Sequence, residues 1–392
     1  MRNEHWLLPE GIDEILPPQA MALERLRREL LDLYASWGYE LVFPPLIEYL
    51  ESLLTGTGGD LDLQTFKLID QITGRTLGIR ADITPQAARI DAHQLRRDCP
   101  TRLCYLGTVL NTRSGGLVAS RSPLQTGAEL YGHAGVESEL EILCLMLDSL
   151  QLSGVKDIYL DLGHVGIFRG LARQAGLARS DEMALFDALQ RKAIPELQAL
   201  IGAFHLEPQL GEMLTALAEL SGEDALLQAE QRLSAAGDEV QEALAELRRL
   251  ARRLASRRPD IPVHYDLSEL RGYHYHTGVV FAAFVPSLGQ EVARGGRYDD
   301  IGRLFGRARP ACGFSLDLKV LLRLACETAE SEPADIFAPA SADPALQRCI
   351  RALRQQGRRV LCELPGQNAG PREMGCGETL VEREGEWRLT RL

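Results

Sequence analysis

The sequence predicts an α+β fold, in which an antiparallel sheet carries helices on one side and a helical insertion interrupts it. Three observations predict this fold. Alternating apolar residues, typical of half-buried strands, recur in the first 165 residues and return at 261–297. Between about 166 and 258 the strand pattern vanishes, and apolar residues such as Val240 and Leu244 recur at helical spacing. Strands do not alternate regularly with helices, as they do in parallel sheets.

The length and composition indicate a soluble protein of several domains. A chain of 392 residues is too long for one compact core. We expect a core of residues 1–165 and 259–328, a helical insertion of residues 166–258, and a short C-terminal α/β domain of residues 329–392. The formal net charge of −12 argues against a protein that mainly grips phosphate backbones.

The elements of the first half follow from their local patterns. Residues 19–37 predict an amphipathic helix, and "YELVFPPLIEY" predicts a strand that enters a proline-limited turn. The segment "TFKLIDQITGRTLGIR" predicts a hairpin, followed by a helix with Thr84 as N-cap and Pro85 in its first turn. A second strand pair, "TRLCYLGTVLNTR" and "SPLQTGAELYGH", precedes a helix at 136–150 and the strand "KDIYLDLGHV".

The second half continues with the helical insertion, whose end carries six arginines between 248 and 258. These arginines form either a solvated helix face or a contact for an acidic partner or nucleic acid. Strand patterns return in "GVVFAAFV" and "EVARGGRYD", and a helix is expected at about 314–328. In the C-terminal domain we expect a strand at 335–338, a helix at 343–356, a strand at 358–363 and a hairpin at 379–391.

Targeting signals and cysteine patterns indicate a cytoplasmic protein. The N-terminal residues lack a basic segment followed by an apolar run, so we expect no secretory signal. No stretch approaches the roughly 18 apolar residues of a membrane span. The eight cysteines are scattered without a C-x-x-C pair, which favours reduced thiols.

Two clusters of polar residues occur near predicted strands. In "GIRADIT", Arg80, Asp82 and Thr84 share one face if the chain is extended, and in "PLQTGAE", Gln125 and Glu129 share another. Each cluster alone fits a solvated sheet face or an internal salt bridge. On the strands of one sheet, however, such clusters favour a polar pocket, because each unpaired buried polar group costs about 1–3 kcal/mol.

The segment "RGYHYHTG", from Arg271 to Gly278, has few residues that fill a core. It fits a metal site, an edge strand with polar rings, or the wall of a pocket. A metal site needs three or four ligands, and no cysteine or acidic residue joins His274 and His276 at a suitable spacing. We therefore expect neither a metal nor another cofactor. The segment "RGGRYDD", from Arg294 to Asp300, is a fourth polar cluster, and we expect all four clusters to lie on strands of one antiparallel sheet.

These motifs together resemble the catalytic core of histidyl-tRNA synthetase over about residues 5–325. The matching segments are "FKLIDQITGRTLGIRADIT", "YLGTVLN", "LQTGAELYG", "LRGYHYHTGVVF" and "RGGRYDDIGRLFGRARPACGFSLDL". The resemblance implies a class II aminoacyl-tRNA synthetase-like sheet flanked by helices. It also implies that "GYELVFPPLIE", with Pro45, lies at a dimer interface, and that the chain forms a self-dimer.

Two of the positions that contact ATP depart from the synthetase pattern. Asn111 and Val320 stand where that family has arginines that hold ATP. Charge that develops on a transferring phosphoryl group needs such cations, and one contact of this kind is worth about 3–4 kcal/mol. The C-terminal domain is also short for a synthetase. The sequence therefore has no expected catalytic residues.

The positions that read histidine in the synthetase are better preserved. By motif position, the resemblance implies that Asp82, Thr84 and Gln125 hold the amino group and that Arg271 meets the carboxylate. It implies that Glu129 and His276 read the imidazole, with Tyr275 beside them. A regular strand places Arg271 and His276 on opposite faces, so we expect this segment to be irregular.

A chain that keeps the amino-acid pocket and loses the ATP contacts resembles the regulatory subunits of ATP phosphoribosyltransferase. This resemblance implies a non-catalytic protein of histidine biosynthesis that pairs with a short catalytic subunit and confers feedback inhibition by L-histidine. The alternatives are a working histidyl-tRNA synthetase and another synthetase-like protein that binds tRNA or an amino acid. If the chain is such a regulatory subunit, neither tRNA nor a membrane is an expected partner.

Overall fold

The computed structural model describes residues 6–54, 59–113, 120–270, 272–273, 275–325 and 335–392. The chain divides into two compact units, residues 1–327 and 328–392. Among the described residues, no helix has both the length and the apolar character needed to cross a bilayer.

A nine-stranded sheet forms the centre of the first unit, and its strand order is β1-β5-β6-β12-β11-β10-β7-β9-β8. Its pairings are antiparallel except for β1 with β5 and β7 with β9, which are parallel. The strands are β1 (Glu40–Val42), β5 (Thr101–Thr108), β6 (Leu124–Tyr131), β7 (Tyr159–His164), β8 (Ser221–Gly222), β9 (Val263–Asp266), β10 (Val279–Val285), β11 (Leu288–Arg297) and β12 (Ala311–Asp317). This sheet confirms the predicted α+β fold.

A separate three-stranded antiparallel sheet has the order β2-β4-β3. It consists of β2 (Ile47–Tyr49), β3 (Phe66–Ile69) and β4 (Thr76–Ile79). The expected hairpin is therefore present as β3 and β4.

The α-helices of the first unit pack largely around the nine-stranded sheet. They are α1 (Gln19–Ser36), α2 (Leu50–Leu53), α3 (Gly59–Gln64), α4 (Thr84–Arg89), α5 (Val136–Leu152), α6 (Val165–Gln174), α7 (Arg179–Gln190), α8 (Ile194–Ala203), α9 (Pro208–Glu219), α10 (Ala225–Arg232), α11 (Asp238–Arg257) and α12 (Leu318–Ala325). A π-helical turn (Ile90–Leu95) continues α4, and a 3₁₀ helix (Ile301–Phe305) follows β11.

One face of the sheet forms the main hydrophobic core. Ala128 and Leu130 of β6 and Phe314 of β12 are almost completely buried there. The same apolar cluster extends without a break through Leu143 of α5 and Leu247 of α11. Alternation along each strand leaves every second residue of β6 and β12 for the opposite face.

Three local expectations were wrong. The helix expected from residue 314 begins only at Leu318, because residues 311–317 are the sheet strand β12. Thr84 is the first residue of α4 and not its N-cap, which is Ile83. The segment 166–258 is also not wholly helical, since the two-residue strand β8 pairs with β9 at the sheet edge.

The second unit has a four-stranded sheet of order β14-β13-β15-β16. Its strands are β13 (Asp335–Ala338), β14 (Val360–Cys362), β15 (Cys376–Arg383) and β16 (Glu386–Arg391), and its helix is α13 (Pro344–Gln355). Strand β13 is parallel to both β14 and β15, whereas β15 and β16 form an antiparallel hairpin. Asp343 caps α13 by accepting a hydrogen bond from the Ala345 amide at 2.8 Å.

Candidate functional site

A set of polar side chains lies on the face of the nine-stranded sheet that is opposite to the main core. Gln125 and Glu129 of β6 share this face because they are separated by an even number of residues. Register places Tyr105 of β5 opposite Gly127, between these two side chains. Tyr298, directly after β11, reaches the same place.

Four of the predicted site residues form one hydrogen-bond network with Tyr105. The Tyr105 hydroxyl donates to Oε1 of Glu129 at 3.0 Å and lies 3.0 Å from the hydroxyl of Thr84. Oδ1 of Asp82 accepts from the Thr84 amide at 3.0 Å and from Nε2 of Gln125 at 2.8 Å. The network therefore links the loop before α4 to the middle of the sheet.

Glu129 is the most deeply buried acid of this network, with 1% of its surface exposed. The hydroxyl groups of Tyr105 and Tyr298 donate to its two oxygens. Burial raises the pKa of Glu129 to about 8, and these hydrogen bonds counteract the rise only in part. The carboxyl group therefore changes its charge near neutral pH, where it faces other polar groups of the site.

A glycine at position 127 makes room for the Tyr105 ring. A Cβ atom there would lie 2.3 Å from the Phe314 carbonyl oxygen and 2.6 Å from the Tyr105 hydroxyl. Real Cβ atoms do not approach backbone oxygens so closely, so any larger residue must displace the ring or the strand. The glycine thus serves the placement of Tyr105.

The second part of the site is the segment of residues 272–278 between β9 and β10, whose described residues, 272–273 and 275–278, are irregular, as expected. Gly272 has a positive φ of 67°, and its carbonyl accepts from the amides of Tyr275 and His276. A Cβ atom on Gly272 would lie 2.5 Å from Cδ2 of His276, so this tight turn favours glycine. Arg271 and His274 lie outside the described residues.

His276 is buried beside the acid network. Its Nδ1 lies 3.1 Å from the Arg297 carbonyl oxygen, so Nδ1 carries the proton and Nε2 is an acceptor. Burial lowers the pKa of His276 to about 4, which keeps the ring neutral. The rings of Tyr275 and His276 have centroids 6.0 Å and 6.3 Å from that of Tyr298, the tyrosine that donates to Glu129.

The structure thus brings together six of the seven predicted site residues, either in the network or through Tyr298. Tyr105 and Tyr298 were missing from that set. The parity of β6 indicated Gln125 and Glu129, but only the register between β5 and β6 shows that Tyr105 joins them. Tyr298 stood in the polar segment "RGGRYDD", which was the available signal.

Arg80 does not share a face with Asp82 and Thr84, as an extended chain would require. Strand β4 ends at Ile79, and the guanidinium of Arg80 turns to the carbonyl oxygens of Pro44 and Thr108, at 2.8 and 3.0 Å. The expectation that all four polar clusters lie on strands of one sheet was therefore wrong for this cluster and for residues 272–278.

At the two positions that lack the ATP-binding arginines, the residues are engaged within the chain. The backbone of Asn111 exchanges hydrogen bonds with Arg121, and Val320 packs against the main core. The adjacent cation, Lys319, donates to Asp13 at 3.0 Å and to Ser122 at 3.1 Å. Lys319 is therefore already engaged within the chain.

The arginines at the end of α11 mostly pair with acids of this chain. Arg248 contacts Glu230 and Arg258 contacts Asp148, and further pairs join Arg249 to Glu242 and Arg253 to Glu137. Exposed pairs of this kind contribute little to stability, typically 0–1 kcal/mol. They favour a solvated helix face over a free basic surface.

Within the described ranges no group of three His, Cys, Asp or Glu side chains is placed to hold a metal ion.

The two titrating groups of the site predict a dependence of stability on pH. The folded pKa of Glu129 lies above its ordinary value of 4.5, so the folded chain keeps a proton that the unfolded chain has lost. Between pH 4.5 and about 8, Glu129 therefore lowers the free energy of unfolding as pH rises, by up to about 1.4 kcal/mol per unit. For His276 the free energy of unfolding instead decreases as pH falls, between pH 6.5 and about 4.

Urea denaturation at pH 7.0 and 8.0 separates the two effects, since His276 is mostly neutral in both states there. We expect the wild type to lose about 1 kcal/mol more than Glu129→Gln across this interval. His276→Asn serves as the control, because it should retain the wild-type difference. Equal pH dependence in wild type and Glu129→Gln would contradict the assignment of Glu129.

Family models divide the chain in the same two parts. The model described as histidyl-tRNA synthetase matches residues 11–321, and the model described as ATP phosphoribosyltransferase subunit HisZ C-terminal domain matches residues 333–390. Among solved structures, an ATP phosphoribosyltransferase regulatory subunit/histidyl-tRNA synthetase from Bacillus halodurans C is 26% identical, with a TM-score of 0.82, and the alignment covers 93% of this chain and 94% of that chain. A histidyl-tRNA synthetase from Nostoc sp. PCC 7120 shares the fold at 18% identity, with a TM-score of 0.76 and coverage of 96% and 91%.

Curated relatives match over nearly their whole length. A protein of Thioalkalivibrio sulfidiphilus is 57% identical, with 100% of this chain and 99% of the relative covered. One of Alkalilimnicola ehrlichii is 55% identical, with 100% and 98% covered. Both are named ATP phosphoribosyltransferase regulatory subunit. With a core that matches the synthetase model and a C-terminal domain that matches the HisZ model, the chain belongs to the family of ATP phosphoribosyltransferase regulatory subunits.

Proposed function

We propose that this chain assembles with a short-form catalytic subunit of ATP phosphoribosyltransferase and makes its activity sensitive to L-histidine, without catalysing a reaction itself. The observation that carries the proposal is the buried network around Glu129, beside His276, in a chain that has Asn111 and Val320 at the positions of the ATP-binding arginines. A chain with this function is expected to act in the cytoplasm, in the first step of histidine biosynthesis.

The proposed pocket has the donors and acceptors that histidine requires. Asp82 supplies a carboxylate for the amino group, with Thr84 and Gln125 bonded to it. Glu129 and Nε2 of His276 supply acceptors for imidazole N–H groups, and Tyr275 lies beside them. We assign the ligand's carboxylate to Arg271. Feedback at about 1 µM to 1 mM ligand needs roughly 4–8 kcal/mol, which two charge-assisted hydrogen bonds and the imidazole contacts can supply.

The decisive test is formation of phosphoribosyl-ATP from ATP and phosphoribosyl pyrophosphate. The short catalytic subunit is assayed alone, with this chain, and with this chain during a histidine titration. We expect activity to depend on the chain and to fall with histidine. Activity that ignores both additions would overturn the proposal. Histidine-dependent exchange between ATP and pyrophosphate by the chain alone would instead indicate a working synthetase.

We also propose the self-dimer, through the segment around β1 and β2. Phe43 is 73% exposed, and Leu46 and Ile47 beside it are 41% and 43% exposed. Apolar side chains exposed together in this way are typical of interaction surfaces. We also propose the division of the chain into three domains. These are a core of residues 1–165 and 259–328, an insertion of residues 166–258, and a C-terminal domain of residues 329–392.

The dimer predicts a specific effect of charge at position 43. Phe43→Asp should weaken self-association at least tenfold, because an unpaired carboxylate would be buried in the contact. Sedimentation equilibrium measures this change. The matched control is Leu227→Asp, which alters another exposed apolar side chain, 66% exposed, in α10. A dimer of unchanged affinity in Phe43→Asp would exclude this surface.

A further inference from the structure

The back of the segment of residues 272–278 packs into the helical layer formed by α6 and α7. Tyr273 points away from the site and is 4% exposed. Its ring centroid lies 5.5 Å from that of Phe168 in α6 and 5.0 Å from that of Phe186 in α7. Among the described residues of the segment, Tyr273 therefore lies in the helical layer, two residues before Tyr275, whose ring faces Tyr298 together with that of His276.

Two polar contacts fix this arrangement from the helices. Nη2 of Arg169, in α6, donates to the carbonyl oxygens of Tyr273 at 3.0 Å and of His276 at 3.1 Å. The guanidinium carbon also lies 4.9 Å from the centre of the Tyr273 ring. The Tyr273 hydroxyl donates to Oε1 of Glu182 in α7.

The contacts of Arg169 lie on both sides of Tyr275 in the chain. The carbonyl oxygens of Tyr273 and His276 lie on either side of Tyr275, so one guanidinium sets the path of the chain through Tyr275 and His276. On the other side, the Arg297 carbonyl holds the His276 ring and accepts from the Thr277 amide at 2.8 Å. Hydrogen bonds with a charged donor are shorter and stronger than those between neutral groups.

We propose that Arg169 is a positioning residue for the histidine pocket, which makes α6 and α7 part of the ligand-binding unit although neither helix touches the ligand. This inference rests on the proposed histidine site. Without Arg169 the segment can still fold back through Gly272, but Tyr275 and His276 lose their fixed placement. In the wild-type chain, binding of histidine in the pocket should also affect the packing of Tyr273 between α6 and α7. The reason is that one short segment carries Tyr273 as well as Tyr275 and His276.

Calorimetric titration with L-histidine tests the proposal on the full-length chain. We expect Arg169→Ala to bind at least tenfold more weakly than wild type and Arg169→Lys, which retains one cationic donor, to recover part of the loss. Arg173→Ala is the matched control, because Arg173 lies one turn further along α6 and is paired with exposed Glu239. It should bind like wild type.

A second measurement separates positioning from general stability. Hydrogen exchange without ligand should be at least tenfold faster in Arg169→Ala for the amides of Tyr275, His276 and Thr277, with little change in the strands β6 and β12. If Arg169→Ala does not fold, Arg169→Lys decides, since it keeps the positive charge but not the guanidinium, and it should still bind histidine severalfold more weakly than wild type.

The outcomes distinguish this inference from the function on which it rests. A wild-type chain that binds no histidine contradicts the proposed function. A wild-type chain that binds histidine, together with an Arg169→Ala variant (or, if that variant does not fold, Arg169→Lys) within twofold of its affinity, overturns the role of Arg169 alone.

Discussion

Arg297→Met is expected to lower the free energy of unfolding by about 3–5 kcal/mol, because it leaves a buried carboxylate without its partner. Nε of Arg297 donates to Oε1 of Glu139 at 2.7 Å, and 7% and 6% of the two side chains are exposed. Further hydrogen bonds run to Asp299 and to the Ser138 hydroxyl. The pair fastens β11 to the beginning of α5.

The direction of the effect follows from the electrostatics of Glu139. Burial raises the pKa of Glu139, and the positive charge of Arg297 counteracts the rise. When that charge is removed, the acid must take up a proton or remain ionised in apolar surroundings, and both cost stability. Urea denaturation with a far-ultraviolet signal measures the loss.

A double variant provides the control. Arg297→Met with Glu139→Leu replaces both charges by apolar groups, and such replacements of buried pairs are often neutral or stabilising. We expect the double variant to be more stable than Arg297→Met alone. If it is equally unstable, the loss in the single variant comes from packing or from the other hydrogen bonds of Arg297.

Asp82→Asn is expected to weaken histidine binding by about 10- to 100-fold. The substitution keeps an oxygen that can accept from the Thr84 amide and from Gln125, at the present 3.0 and 2.8 Å, but it removes the negative charge. Hydrogen bonds to charged groups are worth about 1.5–3 kcal/mol, which corresponds to this range of affinity. Calorimetry with wild type and variant measures it.

A ligand without the amino group makes the test specific to that contact. Imidazole propionate should bind the wild-type chain more weakly than histidine, and Asp82→Asn should not weaken it further. Glu129→Gln, in contrast, should weaken both ligands, because it alters the acceptor for imidazole. An equal loss for both ligands in Asp82→Asn would assign Asp82 to the general structure of the pocket.

The parts of the fold that could be predicted are those with one clear periodicity. Strands β5, β6 and β10 and helices α1, α5 and α11 have it, and their apolar sides face the main core. Strand β12 was missed because it continues into α12 at Leu318 without a turn. Phe314, Leu318 and Leu321 also fit helical spacing, so the local pattern had two interpretations.

The site was predictable where neighbours along the chain share a face, and not where the contact depends on pairing. Gln125 and Glu129 were found through their spacing on one strand. The place of Tyr105 depends on the register between two strands, and that of Arg80 on the end of β4. In residues 272–278, Tyr273 faces the helices, whereas Tyr275 and His276 face Tyr298. This arrangement depends on the packing of α6 and α7 against Tyr273, which no local sequence pattern encodes.

The central position of β12 has a consequence for the synthesis of this protein. Strand β6 pairs on one side with β5, which lies about twenty residues earlier in the chain. Its neighbour on the other side is β12, which comes much later, since Ala311 pairs with Tyr131. At typical elongation rates of 5–20 residues per second, the ribosome needs roughly 10–40 s to make the intervening chain. During that time β6 has an unpaired edge, and such edges are sites of aggregation. We therefore expect the nascent chain to depend on chaperones until β12 has emerged.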